Sequence, residues 1–145
     1  GALITLLIQS SSATLGMVIK LAAKGLLTLP AGIAVMLGVE LGTCSDTLLA
    51  TVGRGRPALK TGLFHLFFNV VSISVGLLCI APFTALVLRL AGEADVARQI
   101  ANAHMLFNVA GVLVFAPLVP LCQRLLDAWL PEPEPAAKPA PIRTA

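Results

Sequence analysis

Gln9, Ser10, Ser11 and Ser12 stand unbroken inside a stretch that is otherwise almost pure hydrocarbon, with apolar residues 2–8 before them and 15–19 after. Hydrocarbon supplies no water to satisfy one amide and three hydroxyls, so such a run persists at membrane depth where it lines a cavity or holds a solute. The run therefore points to a binding site. A second polar interruption, Gly38-Val39-Glu40-Leu41-Gly42-Thr43, separates apolar residues 30–37 from 47–52. Two glycines four apart loosen a helix, which predicts a break here. A helix stopping at Leu37 would offer carbonyls to a cation, and one restarting near Gly42 would offer amides to an anion. Paired breaks of this kind are the pattern of transporters built from discontinuous helices.

A third pattern is an internal repeat. His65-Leu66-Phe67-Phe68-Asn69 recurs as His104-Met105-Leu106-Phe107-Asn108, H-x-x-F-N twice at an interval of 39 residues. A separation of four places His and Asn on one helical face. Asn69 and Asn108 could brace the broken segments through their free backbone groups, or the His and Asn side chains could simply glue neighbouring membrane helices together. Neither His has a metal-ligand partner at useful spacing, so no metal site beyond an alkali cation is expected.

The elements that must position these groups are membrane helices. The 145 residues are 57% hydrophobic and 12% charged, and mean hydropathy is +0.93, far from a soluble chain with about 25% charge. The net charge of +3 does not indicate nucleic acid, because the basic residues are scattered between apolar spans rather than gathered on a face with aromatics. Four apolar blocks, 1–23, 26–52, 57–90 and 96–126, are each long enough to cross about 30 Å of hydrocarbon. In the first block the arms around the Gln-Ser run reach only about 10–14 Å at about 1.5 Å per residue. A re-entrant hairpin with Gln9 to Ser12 at its tip and a single span broken at its centre both fit. The expected fold is thus an all-α membrane protein, a hairpin or broken helix plus about three transmembrane helices over residues 1–130, followed by a Pro-rich disordered tail over 131–145.

Loop charge gives an orientation. Arg54, Arg56 and Lys60 follow the second block with no acid among them, whereas Arg89 and Arg98 flank the next loop. The positive-inside rule places the 54–60 loop and the C-terminus in the cytoplasm of a multi-pass protein of the cell membrane, with Lys20 and Lys24 outside. Trp129 stands where an interfacial anchor belongs. Cys44, Cys79 and Cys122 lie singly with no C-x-x-C spacing, and read as small buried apolar residues. The chain starts at Gly1 inside an apolar run and without Met, which leads to the expectation of a missing upstream half.

Over residues 1–126 the chain resembles the sodium-dependent phosphate cotransporter family, including its bacterial members. Members carry two inverted repeats, each with a Q-S-S-S-A-T-like run, a G-A-N-I-G-T-T-like segment and H-x-x-F-N-like helices. Here these are Gln9 to Thr14, Gly38 to Cys44, and the pair at His65 and His104. The order of the pieces resembles the second, C-terminal repeat of a bacterial member, which places the chain in a bacterial inner membrane. The resemblance implies sodium-coupled phosphate symport at a site shared between two repeats. Ser10, Ser11 and Ser12 would donate to phosphate oxygens, and Gln9, Thr14 and Thr43 would give neutral oxygens to sodium, the coupling ion, with no other cofactor. His65, Asn69, His104 and Asn108 would be structural support.

Two positions depart from that pattern. Glu40 replaces the expected Asn and Asp46 an expected Thr, adding carboxyls beside an anion site. Either they serve coupling as cation or proton ligands, or they are neutral or loop-facing residues of a diverged copy. A single Q-S-S-S run is also half a site. The missing N-terminal repeat or a second, antiparallel copy is then a required partner, alongside phosphate, sodium and the bilayer. The alternatives are a non-transporting membrane scaffold or regulatory subunit, or a diverged carrier for another anion or with proton coupling. An enzyme is not expected, since no G-x-S-x-G elbow or placed base accompanies the serines.

Overall fold

The computed structural model describes residues 1–131; the expected Pro-rich tail otherwise lies outside the described residues. These residues form seven α-helices: α1 (Ala2–Ile8), α2 (Ser11–Ala23), α3 (Leu29–Leu49), α4 (Arg56–Leu78), α5 (Ile80–Ala91), α6 (Val96–Phe115) and α7 (Val119–Trp129). No strand occurs among the described residues, as the all-α expectation requires. Three stretches are long and apolar enough to cross a membrane: α3, α4, and the combined run Val96–Trp129.

The first block is a hairpin rather than one broken span. α1 runs alongside α3 in the same direction, Gly1 lying against residues 35–39 and Thr5 against Gly42. α2 then turns back, so that Val18 and Ala22 join Leu29, Ile33, Met36 and Leu37 in the core. Its thirteen residues cover about 20 Å at about 1.5 Å per residue. That exceeds the 10–14 Å expected, because the helix continues past Ile19 through Lys20 to Ala23.

The expected break at residues 38–43 does not exist. α3 is helical without interruption from Leu29 to Leu49. Gly38 and Gly42 are instead a shallow seat for α1. A Cβ at Gly42 would sit 2.5 Å from Thr5 Cβ and 2.9 Å from the Ala2 carbonyl oxygen, and one at Gly38 would sit 3.2 Å from the Ala2 nitrogen. Glycines four apart thus allow backbone approach between membrane helices, the small-xxx-small device, without ending the helix that carries them.

The third block is divided. α4 ends at Leu78 and α5 begins at Ile80, with Cys79 between them and exposed, contrary to the buried role expected of it. Pro82 accounts for the joint, since its ring has no N–H for the Leu78 carbonyl and clashes with a continuing helix. Cys44 is buried as expected and Cys122 is half-buried. In the fourth block Pro117 lies in a single 3-10 turn, Ala116–Leu118, that joins α6 to α7.

α3 is the spine of the bundle. Ile100 of α6 fills the space at Gly32, and Ile33, Met36, Leu37 and Ile100 are fully buried. α4 lies antiparallel to α3, with Gly62 against Leu48 and Thr51, and Gly76 against Leu37. The H-x-x-F-N helices α4 and α6 pack reciprocally: the Phe68 ring covers Gly111, and the Phe107 ring covers Gly76. Lys60 at the start of α4 pairs with Asp127 of α7 at 2.6 Å, and Arg56 Nη1 donates to the Pro131 carbonyl. The loop after α3 and the end of α7 therefore share one side of the bundle, and Trp129 is exposed there.

Candidate functional site

The hairpin tip is made by two residues. Gln9 caps α1 in the left-handed region (φ 54°) and Ser10 is extended (φ −150°) at the start of α2. A non-glycine residue rarely adopts positive φ, and Gln9 does so here to reverse the chain between two helices. Ser10 Oγ accepts from the Ala13 amide at 3.3 Å, an N-cap. Its hydroxyl hydrogen stays available to donate. The Ser11 and Ser12 amides occupy the first turn of α2, where no intrahelical carbonyl can satisfy them. Ser10 and Ser11 are half-buried, whereas Gln9 and Ser12 are exposed.

Two helix ends of opposite polarity thus meet within two residues. The last carbonyls of α1 face outward as acceptors, and the first amides of α2 as donors, which suits a cation and an anion side by side. The donor-and-acceptor pairing expected at residues 38–43 exists in the molecule, but at Gln9–Ser10.

The two threonines assigned to the cation have their hydroxyl hydrogens engaged. Thr14 Oγ1 donates to the Ser10 carbonyl at 3.0 Å, and Thr43 Oγ1 to the Val39 carbonyl at 3.1 Å. Their oxygen lone pairs remain as acceptors, the half of a hydroxyl that a cation uses. Thr5 was not singled out by the sequence, yet it is fully buried on α1 against Gly42 and its Oγ1 has no hydrogen-bond partner. Its signal is a lone hydroxyl within an apolar arm. Asp46 Oδ1 is likewise buried without a partner. At 100° per residue, Asp46 is turned only about 60° from the direction in which Gly38 and Gly42 face α1.

Glu40 is placed quite differently from the expectation that set it beside the anion. The same rotation turns it about 180° from that face. Its Oε1 lies 2.7 Å from His104 Nε2 and 3.0 Å from Asn108 Nδ2, both on α6. The unbroken helix explains this, because continuity through residues 38–43 fixes Glu40 on the opposite side of α3 from α1.

Each H-x-x-F-N motif makes the same local bond. Asn69 Nδ2 donates to the His65 carbonyl at 3.1 Å, and Asn108 Nδ2 to the His104 carbonyl at 3.0 Å. The asparagines therefore hydrogen-bond within their own helices, and Asn108 additionally to Glu40, instead of bracing the hairpin's free backbone groups. His65 Nδ1 is buried without a partner. Among the described residues, no cluster of three or more His, Cys, Asp or Glu side chains is arranged to hold a metal ion.

The family described as Na+/Pi-cotransporter matches residues 1–116. Among curated proteins, "Uncharacterized protein YqeW" of Bacillus subtilis is 34% identical over 131 residues, 90% of this chain and 42% of the relative. "Sodium-dependent phosphate transport protein 2B" of Bos taurus is 30% identical over 125 residues, 83% of this chain and 17% of the relative. The human protein of the same name is 35% identical over 81 residues, 52% of this chain and 12% of its own length. The chain thus spans less than half the length of these relatives. No solved structure shows significant similarity to it. With a family match over residues 1–116, the stretch that holds helices α1 to α6, the chain belongs to the Na+/Pi-cotransporter family.

Proposed function

We propose that this chain is one of two inverted repeats of a sodium-coupled phosphate symporter, and that the α1–α2 tip is its half of the solute site. The observation that carries this reading is the meeting of the α1 carbonyl end and the α2 amide end at Gln9–Ser10, in a hairpin seated on glycines of α3. Ser10, Ser11 and Ser12 donate to phosphate oxygens, and the free α2 amides add to them. Gln9, Thr14 and Thr43 supply oxygens to sodium, with Thr5 and Asp46 as further candidates because each holds a buried oxygen that no group among the described residues satisfies. Sodium beside phosphate offsets the anion's charge, so the fully loaded carrier alone is suited to move between its two faces. The second repeat, or another copy of this chain, supplies the facing tip. The exposed apolar side chains of α1, Leu3 and Leu7 among them, offer a surface for that partner. The membrane is the cell membrane, with the 54–60 loop and the C-terminus cytoplasmic.

Labelled phosphate uptake into proteoliposomes, with the chain alone and with an upstream repeat, tests this. Sodium-driven uptake is expected only when both repeats are present, and Ser11→Ala should raise the phosphate concentration needed for half-maximal uptake while leaving helical content unchanged. Absence of uptake in both preparations would favour a membrane scaffold or regulatory subunit.

A further inference from the structure

α4 and α7 are clasped at one end and leave a groove beyond it. At the clasp, Lys60 Nζ lies 2.6 Å from Asp127 Oδ1, and Arg56 Nη1 donates to the Pro131 carbonyl. Past it opens a groove of about 520 Å³ whose walls include Leu63, Phe67 and Val70 of α4 and Leu125, Leu126 and Trp129 of α7. The clasp and the α4 wall belong to one stripe. Counted from Arg56 at about 100° per residue, Lys60, Leu63, Phe67 and Val70 all fall within about 40° of it.

Apolar space of this kind stays dry, and both helices belong to stretches long and apolar enough to cross a membrane. An apolar occupant is therefore required to complete the packing. The volume is that of a small-ligand site. Spread along about 10 Å of helix from Leu63 to Val70, it gives a cross-section of about 50 Å², whereas a helix about 10–12 Å across needs about 80–110 Å². A hydrocarbon chain fits this slot better than another helix does.

The charge beside the groove selects the kind of chain. In residues 50–61 and 119–131, Arg54, Arg56, Lys60 and Arg124 stand against one carboxylate, Asp127. Lys60 is engaged by Asp127, but Arg54 and Arg56 are exposed, and a guanidinium that gives one N–H to the Pro131 carbonyl keeps others to donate. Trp129 sets an amphipathic ring at the same end, as residues at headgroup level do. The rival occupant is the segment that follows Pro131, but it brings Glu132 and Glu134 toward walls with no polar group to receive them.

We propose that the α4–α7 groove binds one anionic phospholipid, an acyl chain lying between the two helices and the phosphate held by Arg54 and Arg56. The chain supplies contacts that α4 and α7 leave unmade, and the headgroup balances the basic end of the groove. The site is separate from the hairpin tip, and the proposal does not depend on what the tip binds.

Trp129 is the only tryptophan in the chain and lines the groove, so its fluorescence reports the occupant. The full chain is reconstituted in mixed vesicles of phosphatidylglycerol and phosphatidylcholine, with one or the other lipid brominated on its acyl chains as a quencher. Quenching should show a preference for phosphatidylglycerol of about tenfold or more, and Arg54→Gln and Arg56→Gln should each lower it about fivefold. Cys122 is on the groove wall, and Cys122→Phe fills the space; Val70→Phe does the same if that variant does not fold. Filling should abolish the preference with both arginines in place, which separates a lipid in the groove from anionic lipid drawn loosely to positive charge. Equal quenching by the two lipids in the wild type, or a preference that survives groove filling or loss of both arginines, would overturn the site. Weak quenching by both would place the C-terminal segment or a second copy of the chain over Trp129, and would overturn it too.

Discussion

Gly42→Ala is the most direct test of how the hairpin is held. The added methyl would lie 2.5 Å from Thr5 Cβ and 2.9 Å from both Thr5 Cγ2 and the Ala2 carbonyl oxygen. Normal carbon contacts begin near about 3.5 Å, so α1 must move away by close to 1 Å. Two of the three obstructing atoms belong to a β-branched side chain stiff at χ1, and the third is backbone, so neither can swing aside. Overpacking of this kind costs about 1–3 kcal/mol. Helix propensity pulls the other way by up to about 1 kcal/mol when Gly becomes Ala. Gly16→Ala in α2 is the control that cancels it, because a Cβ there meets nothing within 4 Å. The difference between the two variants should therefore be about 1–3 kcal/mol, with Gly42→Ala the less stable. Denaturation in micelles followed by helical circular dichroism reads the stability difference. Phosphate uptake by the two-repeat carrier reads its functional effect, expected to fall about five- to 150-fold if the same energy is spent reseating the tip. Indistinguishable Gly42→Ala and Gly16→Ala proteins would refute the argument that these glycines exist to seat α1.

Three further outcomes follow from named contacts. Ile100→Ala empties the space at Gly32 in the fully buried core and should cost about 2–5 kcal/mol in the same denaturation assay. Thr5→Val keeps the shape of a buried side chain whose hydroxyl has no partner; stability should hold or rise slightly, while the sodium concentration for half-maximal uptake rises if that oxygen serves the cation. For Lys60 and Asp127, 2.6 Å apart but with Asp127 half exposed, a double-mutant cycle should give no more than about 1 kcal/mol of coupling.

Much of the tip was legible from residues alone. Four consecutive polar groups inside hydrocarbon demand a break or a ligand, and the break falls at Gln9–Ser10. Gly38 and Gly42 were misread because the same spacing weakens an isolated helix and admits a neighbouring one, and the contact that decides between these lies on α1, outside the local sequence. The position of Glu40 followed that error: on a continuous helix its rotation away from the two glycines is calculable, but on a broken one it has no defined face. The α4–α5 joint did have a local signal in Pro82, hidden within an apolar block whose length fitted one long span. Thr5 and the Glu40–His104 pair required the third dimension, since 64 residues separate the two partners of that pair in the chain.

The reciprocal fit of α4 and α6 constrains how this molecule can move. Each helix lends the other a phenylalanine and receives one over a glycine, Phe68 on Gly111 and Phe107 on Gly76, with Phe68 also set edge-on to Phe115 at 4.7 Å. Two interlocked knobs pointing in opposite senses resist sliding in either direction, because a shift that frees one ring drives the other into larger side chains. The two helices should therefore travel as a single stiff ladder. Bending is left to the joints at Cys79 and Ala116, where prolines have already interrupted the hydrogen-bonded ladder.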